Sequence, residues 1–265
     1  MSTSPGVTPP LIDPEEFRSW ILYEDGRLLV LNKPGVVVCH PSKNGPWSSL
    51  VGAAREYLGL PTVHLVFRLD RETSGVVVLA KDGSTAARLQ KAMQRRLVRK
   101  LYLAILEGEM PGPATVDQPL GPDPESCVTI RSKVVAAGSP GAQVAVTHFE
   151  PVACGGGFTL ARVRLETGRK HQIRAHALWL GHAVVGDKLY GPDERLYLEF
   201  AQHGWTGRHA AVLPLSRQAL HCAEIDLRPA GEPHVFQAPL PAELRTFCRE
   251  RMGMDPVGPI GGTAL

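Results

Sequence analysis

Apolar residues along this 265-residue chain fall mostly into short runs bounded by turn formers, the pattern of strands. "LLVLNKPGVVV" (28–38) reads as two strands joined at a turn. Pro34 presets one turn residue there, and Gly35 is expected to take the positive φ of a type II turn. Strands are also expected at "VHLVF" (63–67), "VVVLA" (76–80), "LYLAIL" (101–106) and "QALHCAEIDL" (218–227). "FTLARVRLE" (158–166) alternates, with Ala161, Val163 and Leu165 on one face and Arg162 and Arg164 on the other. Helical spacing is rarer. "STAARLQKAMQRRL" (84–97) carries Ala86, Leu89, Met93 and Leu97 along one stripe and Arg88, Lys91 and Arg95 along another. "KHQIRAHALWLG" reads as a helix ending at Gly181, and "PAELRTFCRERM" as a closing helix. Many strands with few helices predict an α+β fold with a mixed, mostly antiparallel central sheet flanked by helices and loops.

Composition narrows the function classes. No apolar run approaches the ~20 residues of a membrane helix. The start, "MSTSPGVTPP", has no basic head and no apolar signal core, so a cytoplasmic location is expected. Five cysteines form no CxxC pair, which argues against a disulfide framework or a zinc ribbon. His171 and His176 are five apart, poor spacing for a helical metal pair, and no metal site is expected. Net charge is only +3, but seven of the 22 residues from Lys81 to Tyr102 are basic and one, Asp82, is acidic. Such a local cluster suggests a polyanion footprint, the plain alternative being a solvated helix face.

Candidate chemistry concentrates at "FRLDRETSG" (67–75), where one carboxylate, Asp70, sits between Arg68 and Arg71 with apolar runs on both sides. The neighbouring guanidiniums favour the ionised carboxylate, which suits a nucleophile or an electrostatic stabiliser better than a general acid. Extended backbone would place Arg68, Asp70 and Glu72 on one face, with Thr73, Ser74 and Gly75 turning into the next strand. A second constellation is "LETGRKHQIRAH" (165–176), where a Thr-Gly turn enters a helix with Arg169 and Lys170 at its start. Lys170 and Arg174, one turn apart, are expected to line one groove. In "RKLYLAI", Tyr102 follows the basic helix and begins a strand.

Taken in order, these blocks resemble the RluA-type pseudouridine synthases from about Tyr23 to about Phe247. The matching segments are "YEDGRLLVLNKPGVVVCHP", "FRLDRETSGVVVLAKD", "RKLYLAILEG", "LETGRKHQIRAHALWLGHAVVGDKLYG" and "SRQALHCAEIDLRPAGEPHVFQAPLPAEL". The resemblance implies a pseudouridine synthase fold with a central RNA-binding cleft, an isomerase acting on a uridine in rRNA or tRNA, base flipping, and neither cofactor nor metal. It implies Asp70 as the catalytic aspartate, Tyr102 as the ring that packs on the target base, and Arg174 as the basic partner of the aspartate. Arg68 would help open the RNA stack and Ile173 line the base pocket. Arg71, Arg88, Lys91, Arg95, Lys100, Arg169 and Lys170 complete the expected RNA contacts, and Arg162 and Arg164 would add phosphate contacts.

Two departures stand out. Phe67 occupies the place of a family histidine, and Arg228-Pro229 replaces a His-Pro pair. Residues 1–14 are expected to be a disordered lead-in, 15–252 one catalytic domain and 253–265 a flexible tail, with no S4-type domain and a monomeric state. An aspartyl-phosphate phosphohydrolase is disfavoured because Arg68 breaks the apolar approach to "DRET" and regular strand–helix alternation is absent. A non-catalytic RNA-binding factor is disfavoured by the intact Asp70, Tyr102 and Arg174.

Overall fold

The computed structural model describes residues 11–40 and 44–256. Along the chain run α1 (Pro14–Ser19), β1 (Ile21–Glu24), β2 (Leu28–Lys33), α2 (Leu50–Leu58), β3 (His64–Leu65), β4 (Ser74–Ala80), α3 (Gly83–Gln94), β5 (Arg99–Glu107), β6 (Ala114–Asp117), β7 (Leu120–Pro122), β8 (Ser132–Val134), β9 (Val146–Gly155), β10 (Phe158–Leu165), α4 (Gln172–Trp179), α5 (Arg195–His203), α6 (Gly207–Val212), β11 (Leu220–Asp226), β12 (Val235–Gln237) and α7 (Ala242–Met252). Within the segment expected to form one domain, the chain divides into two compact units. One runs up to Lys100 and includes Cys222–Pro239; the other holds Leu101–His221 and the residues from Leu240 on.

In the first unit β2 pairs antiparallel with β1 and β4, β3 with β4, and β12 with β11. Every residue of β4 is buried, so it reads as a continuous apolar run rather than an alternating one. Gly75, its second residue, has φ +113, and a Cβ there would lie 2.1 Å from the Cys222 carbonyl oxygen, so only glycine permits this approach to β11. The helices start and stop on local signals. The Ser49 hydroxyl accepts from the Gly52 amide and left-handed Gly59 ends α2, while the Asp82 carboxylate accepts from the Thr85 amide to begin α3. Arg27 and Arg88 both pair with the buried Glu232.

In the second unit the antiparallel order is β5-β10-β9-β6, with β7 and β8 forming a separate hairpin. Leu120, Val128, Ala145, Ala175, Leu189 and Tyr190 form a core cluster in which the hairpin side meets α4. Helix α7 buries Leu244, Phe247, Cys248 and Met252. Its end meets the β9–β10 turn so closely that a Cβ on Gly156 would fall 1.9 Å from the Arg251 carbonyl oxygen. The α+β class and mostly antiparallel pairing expected from the sequence are what form.

Several local expectations change. Val36–Val38 is not a strand, and the positive φ falls on Val36 (+67) rather than on Gly35. "VHLVF" contributes only the two residues of β3. Helix α3 stops at Gln94, so Leu97 and Lys100 lie beyond it. The lead-in expected over 1–14 falls largely outside the described residues. Of its described part, Ile12 is buried with its amide bonded to the Trp47 carbonyl, and Asp13 caps α1. The expected tail also lies mostly outside them.

Candidate active site

Asp70 is half-buried at the first position of a tight turn. Its carbonyl accepts from the Thr73 amide at 3.1 Å, with Arg71 and Glu72 at the corner. Aspartate is favoured at that position. The turn therefore comes earlier than expected, and Ser74 already belongs to β4. Thr73 and Ser74 are buried behind it. Lys33 holds the turn from below. Its side chain is fully buried and its ammonium donates to the carbonyls of Pro34 (2.9 Å), Val37 (2.8 Å) and Arg71 (3.0 Å). A buried ammonium without such acceptors would be prohibitively costly. Left-handed Val36 lets the 34–37 loop curl around this charge, which is why no second strand forms there. Arg71 Nε donates back to the Val36 carbonyl at 3.2 Å, and the Cys39 thiol reaches the Leu69 carbonyl at 3.5 Å. Three ties thus join the 33–39 segment to the 69–71 segment. Arg68 is exposed and Arg71 half-buried, so the two arginines flanking Asp70 face different surroundings.

Tyr102, Ile173 and Arg174 belong to the second unit. Tyr102 is buried on β5 opposite Val163, and Ile173 is buried on α4. Arg174 forms a two-point pair with the fully buried Asp187, Nε to Oδ2 at 2.5 Å and Nη2 to Oδ1 at 2.8 Å. Burial alone would raise the Asp187 pKa. The Arg174 charge and the amides of Tyr190 and Leu189 outweigh it and hold the carboxyl below its usual range. The Arg174 guanidinium also lies 4.9 Å from the Tyr190 ring centre, and Arg131 lies 5.3 Å from the same ring. The Tyr190 hydroxyl accepts from the Ser132 amide at 2.9 Å, and burial pushes its pKa up to about 12.

Polar side chains fix the start of α4. Gln172 Oε1 accepts from the Thr167 hydroxyl (2.8 Å) and the Arg169 amide (3.0 Å), while its Nε2 donates to Val146 O and Thr147 Oγ1 (both 2.9 Å). His171 enters the helix left-handed, φ +56. At the other end, left-handed Gly181 closes α4 as expected, its amide bonding to Leu178 O and that of His182 to Ala177 O. His176 is fully buried, with Nε2 3.0 Å from the Gln118 carbonyl and Nδ1 2.8 Å from the Thr147 hydroxyl. Nε2 therefore carries a proton, because a carbonyl oxygen only accepts. Burial pushes the ring's pKa below the ordinary value. The unfolded chain then binds a proton that the folded one resists. The stabilisation is complete above the unfolded value of about 6.5 and is lost as pH falls below it. Urea melts at about pH 7.5 and 5.5 should show lower stability at the acid value, and His176→Gln should narrow that difference.

The expected RNA-facing cations divide. Arg88 is engaged with Glu232. Lys100 is half-buried on β5 with its ammonium 5.2 Å from the Phe67 ring centre, and burial lowers its pKa. Lys91 and Arg95 are exposed. Arg169 is exposed and donates through Nε to the Val144 carbonyl at 3.0 Å. Lys170 stands exposed in the turn before α4 while Arg174 is buried, so the two do not share a groove wall. Arg162 and Arg164 both face Glu150, at 3.5 and 3.7 Å. Sequence reasoning missed Lys33, Asp187, Tyr190 and Gln172. The signals were a lysine inside an apolar run, "GDKLYG", and a glutamine just after the Thr-Gly turn. Among the described residues no group of three or more His, Cys, Asp or Glu side chains is placed to hold a metal ion. Nor is any helix among them long and apolar enough to cross a membrane.

A model of the family described as RNA pseudouridylate synthase matches residues 27–179. A Bacillus subtilis protein named as an uncharacterised RNA pseudouridine synthase is 34% identical over 86% of this chain and 71% of its own length. A Chloroflexus aurantiacus protein of like name is 37% identical over 83% of this chain and 65% of its own. The ribosomal large subunit pseudouridine synthase D of Vibrio vulnificus is 34% identical over 84% and 68%. The solved structure of human RNA pseudouridylate synthase domain containing 4 superposes with a TM-score of 0.72 at 26% identity, covering 91% of this chain and 97% of that one.

Proposed function

This chain belongs to the RNA pseudouridylate synthase family and is an RNA pseudouridine synthase, and from that premise we propose that Asp70 is its catalytic residue. The observation that carries this reading is the clamped turn: a half-exposed carboxylate on a corner whose backbone is tied down by the buried Lys33. A charge-bearing turn held this rigidly on a buried strand suits a side chain that must meet one atom of a substrate. Uracil in a stacked helix is out of reach, so the target nucleotide is flipped out at a cost of a few kcal/mol. Asp70 then attacks C1′ of the ribose or removes a sugar proton to give a glycal, and the C1′–N1 bond breaks. The uracil rotates and C5 bonds to C1′ as the Asp70–C1′ bond breaks or, on the glycal route, as the sugar regains its proton; the C5 proton is then lost and N1 gains one. The isomerisation balances without an oxidant, a reductant or a second substrate.

Tyr102 packs on the uracil, Ile173 lines the base pocket, and Arg174 is the basic residue that the second unit brings to the reaction. Arg174 is itself aimed by Asp187 and the Tyr190 ring. Arg68, exposed beside Asp70, is suited to the RNA stack. The name of the Vibrio vulnificus relative favours ribosomal RNA over transfer RNA as the substrate, in keeping with a cytoplasmic enzyme. Pseudouridine mapping in RNA from cells with and without the gene tests this. One or more rRNA uridines are expected to lose modification in the deletion and regain it with the wild-type gene; an unchanged rRNA map contradicts the substrate assignment.

A further inference from the structure

We propose that the corner joining α3 to β5 is a docking surface for the RNA backbone, with Lys91, Arg95, Arg96 and Arg99 as its phosphate contacts. The proposal rests on the chain's action on RNA and adds where the strand is held. The expected contacts Arg88 and Lys100, from the same basic run, do other work. Arg88 neutralises buried Glu232, and Lys100 lies against Phe67.

Three observations converge on the corner. First, no acidic residue occurs between Asp82 and Glu107. Second, all four side chains are exposed, whereas Arg18, Arg27, Lys81, Arg88 and Arg228 of the same unit each face a carboxylate within 3.0 Å. No ion pair joins any of the four to a described residue. The carboxylate that Arg99 influences, Asp226, is already held by Arg228 at 2.9 Å. Lys91 and Arg95 are one turn apart, and the rest follow within four residues, so like charges crowd a short arc without an ion pair to any described residue.

Third, Arg96 occupies a position that local structure assigns to another residue type. Helix α3 closes with the Leu97 amide on the Ala92 carbonyl at 2.9 Å and the Arg96 amide on the Met93 carbonyl at 3.0 Å, which makes Arg96 the left-handed residue of the cap, φ +60. Glycine, or failing that asparagine, fits there. The helix dipole accounts for cations at Lys91 and Arg95 in the last turn. It does not account for an arginine at the left-handed position or for Arg99 on the strand. A long cation placed against the preference of the cap is explained by what it touches outside the protein.

Two variants and a control test this. Binding of fluorescein-labelled poly-uridylate is measured by anisotropy between roughly 50 and 200 mM salt, where the log–log slope reports phosphate contacts at about 0.7 each. Arg95→Gln/Arg96→Asn/Arg99→Gln is expected to lower the slope by about 2. Arg18→Gln/Arg208→Gln/Arg228→Gln removes the same charge elsewhere and should change it far less. Arg96→Gly alone is expected to weaken binding while raising the melting temperature, since glycine suits the cap; a purely structural Arg96 would make the temperature fall. An unchanged slope in the corner variant, or an equal loss in the control, overturns the docking surface. If the corner triple fails to fold, Lys91→Gln/Arg95→Gln, both exposed on α3, is read by the same slope. Wild-type protein that isomerises uridine yet binds without regard to these residues would sink this inference alone and leave the enzymatic reading standing.

Discussion

Asp70→Asn is expected to lower pseudouridine formation by ~10⁴-fold or more while affinity for RNA stays within a few-fold. Asparagine has the shape of aspartate but can neither attack C1′ nor accept a sugar proton at neutral pH. The substitution also leaves the corner intact. Asparagine is as welcome as aspartate at the first position of the turn, and Lys33, Arg71 and Cys39 tie the backbone of the turn to the 33–39 segment. An inactive but folded variant, checked by an unchanged melting temperature and by filter binding, therefore separates chemistry from architecture. Strong loss of RNA affinity in this variant would place Asp70 in binding rather than in bond making.

The second large effect is expected far from Asp70 in sequence. Asp187→Asn removes the Asp187 charge from the Arg174 guanidinium, which is only 8% exposed. Breaking a buried pair from one side costs about 3–5 kcal/mol, because a charge remains in a medium that cannot solvate it. In a chain of this size that is a fall in melting temperature of roughly 10 °C or more. Activity should fall as well, since Arg174 would lose the two-point hold that aims it. Arg174→Met/Asp187→Leu separates the two losses. Replacing both partners by apolar residues of similar volume is often neutral for stability. The double variant should thus recover much of the melting temperature and none of the activity. A double variant with wild-type turnover would show that the pair serves only the fold.

Strands β4, β5 and β10 were legible because apolar runs and alternation survive in the residue order, and Gly181 was legible as a helix stop. Asp70 stood out as a lone carboxylate between two arginines, and the roles proposed for Asp70, Tyr102 and Arg174 rest on block resemblance. The supporting residues were not legible, for physical reasons. Lysine is rarely buried, so Lys33 in "VLNKPG" looked like a turn residue, although its three carbonyl acceptors make it the centre of the loop. No periodicity connects Arg174 to Asp187, thirteen residues on and in irregular chain. The left-handed Val36 cannot be anticipated from a β-branched residue between Gly35 and Val37, because local preference opposes it. The helix stripe read across Met93 to Leu97 ran too far because an arginine, not a glycine, sits at the cap. Helix α2 went unassigned although Ser49 and Gly59 bracket it with ordinary capping signals.

Tritium release from RNA labelled at C5 of uridine tests the central claim most directly, because the label leaves only when C5 becomes the attachment point of the base. RNA from cells lacking the gene is the substrate, offered in parallel to the wild-type protein and to Asp70→Asn at equal concentration. The expected result is time-dependent release with the wild-type protein and none above background with the variant. Release by Asp70→Asn at the wild-type rate would contradict the account.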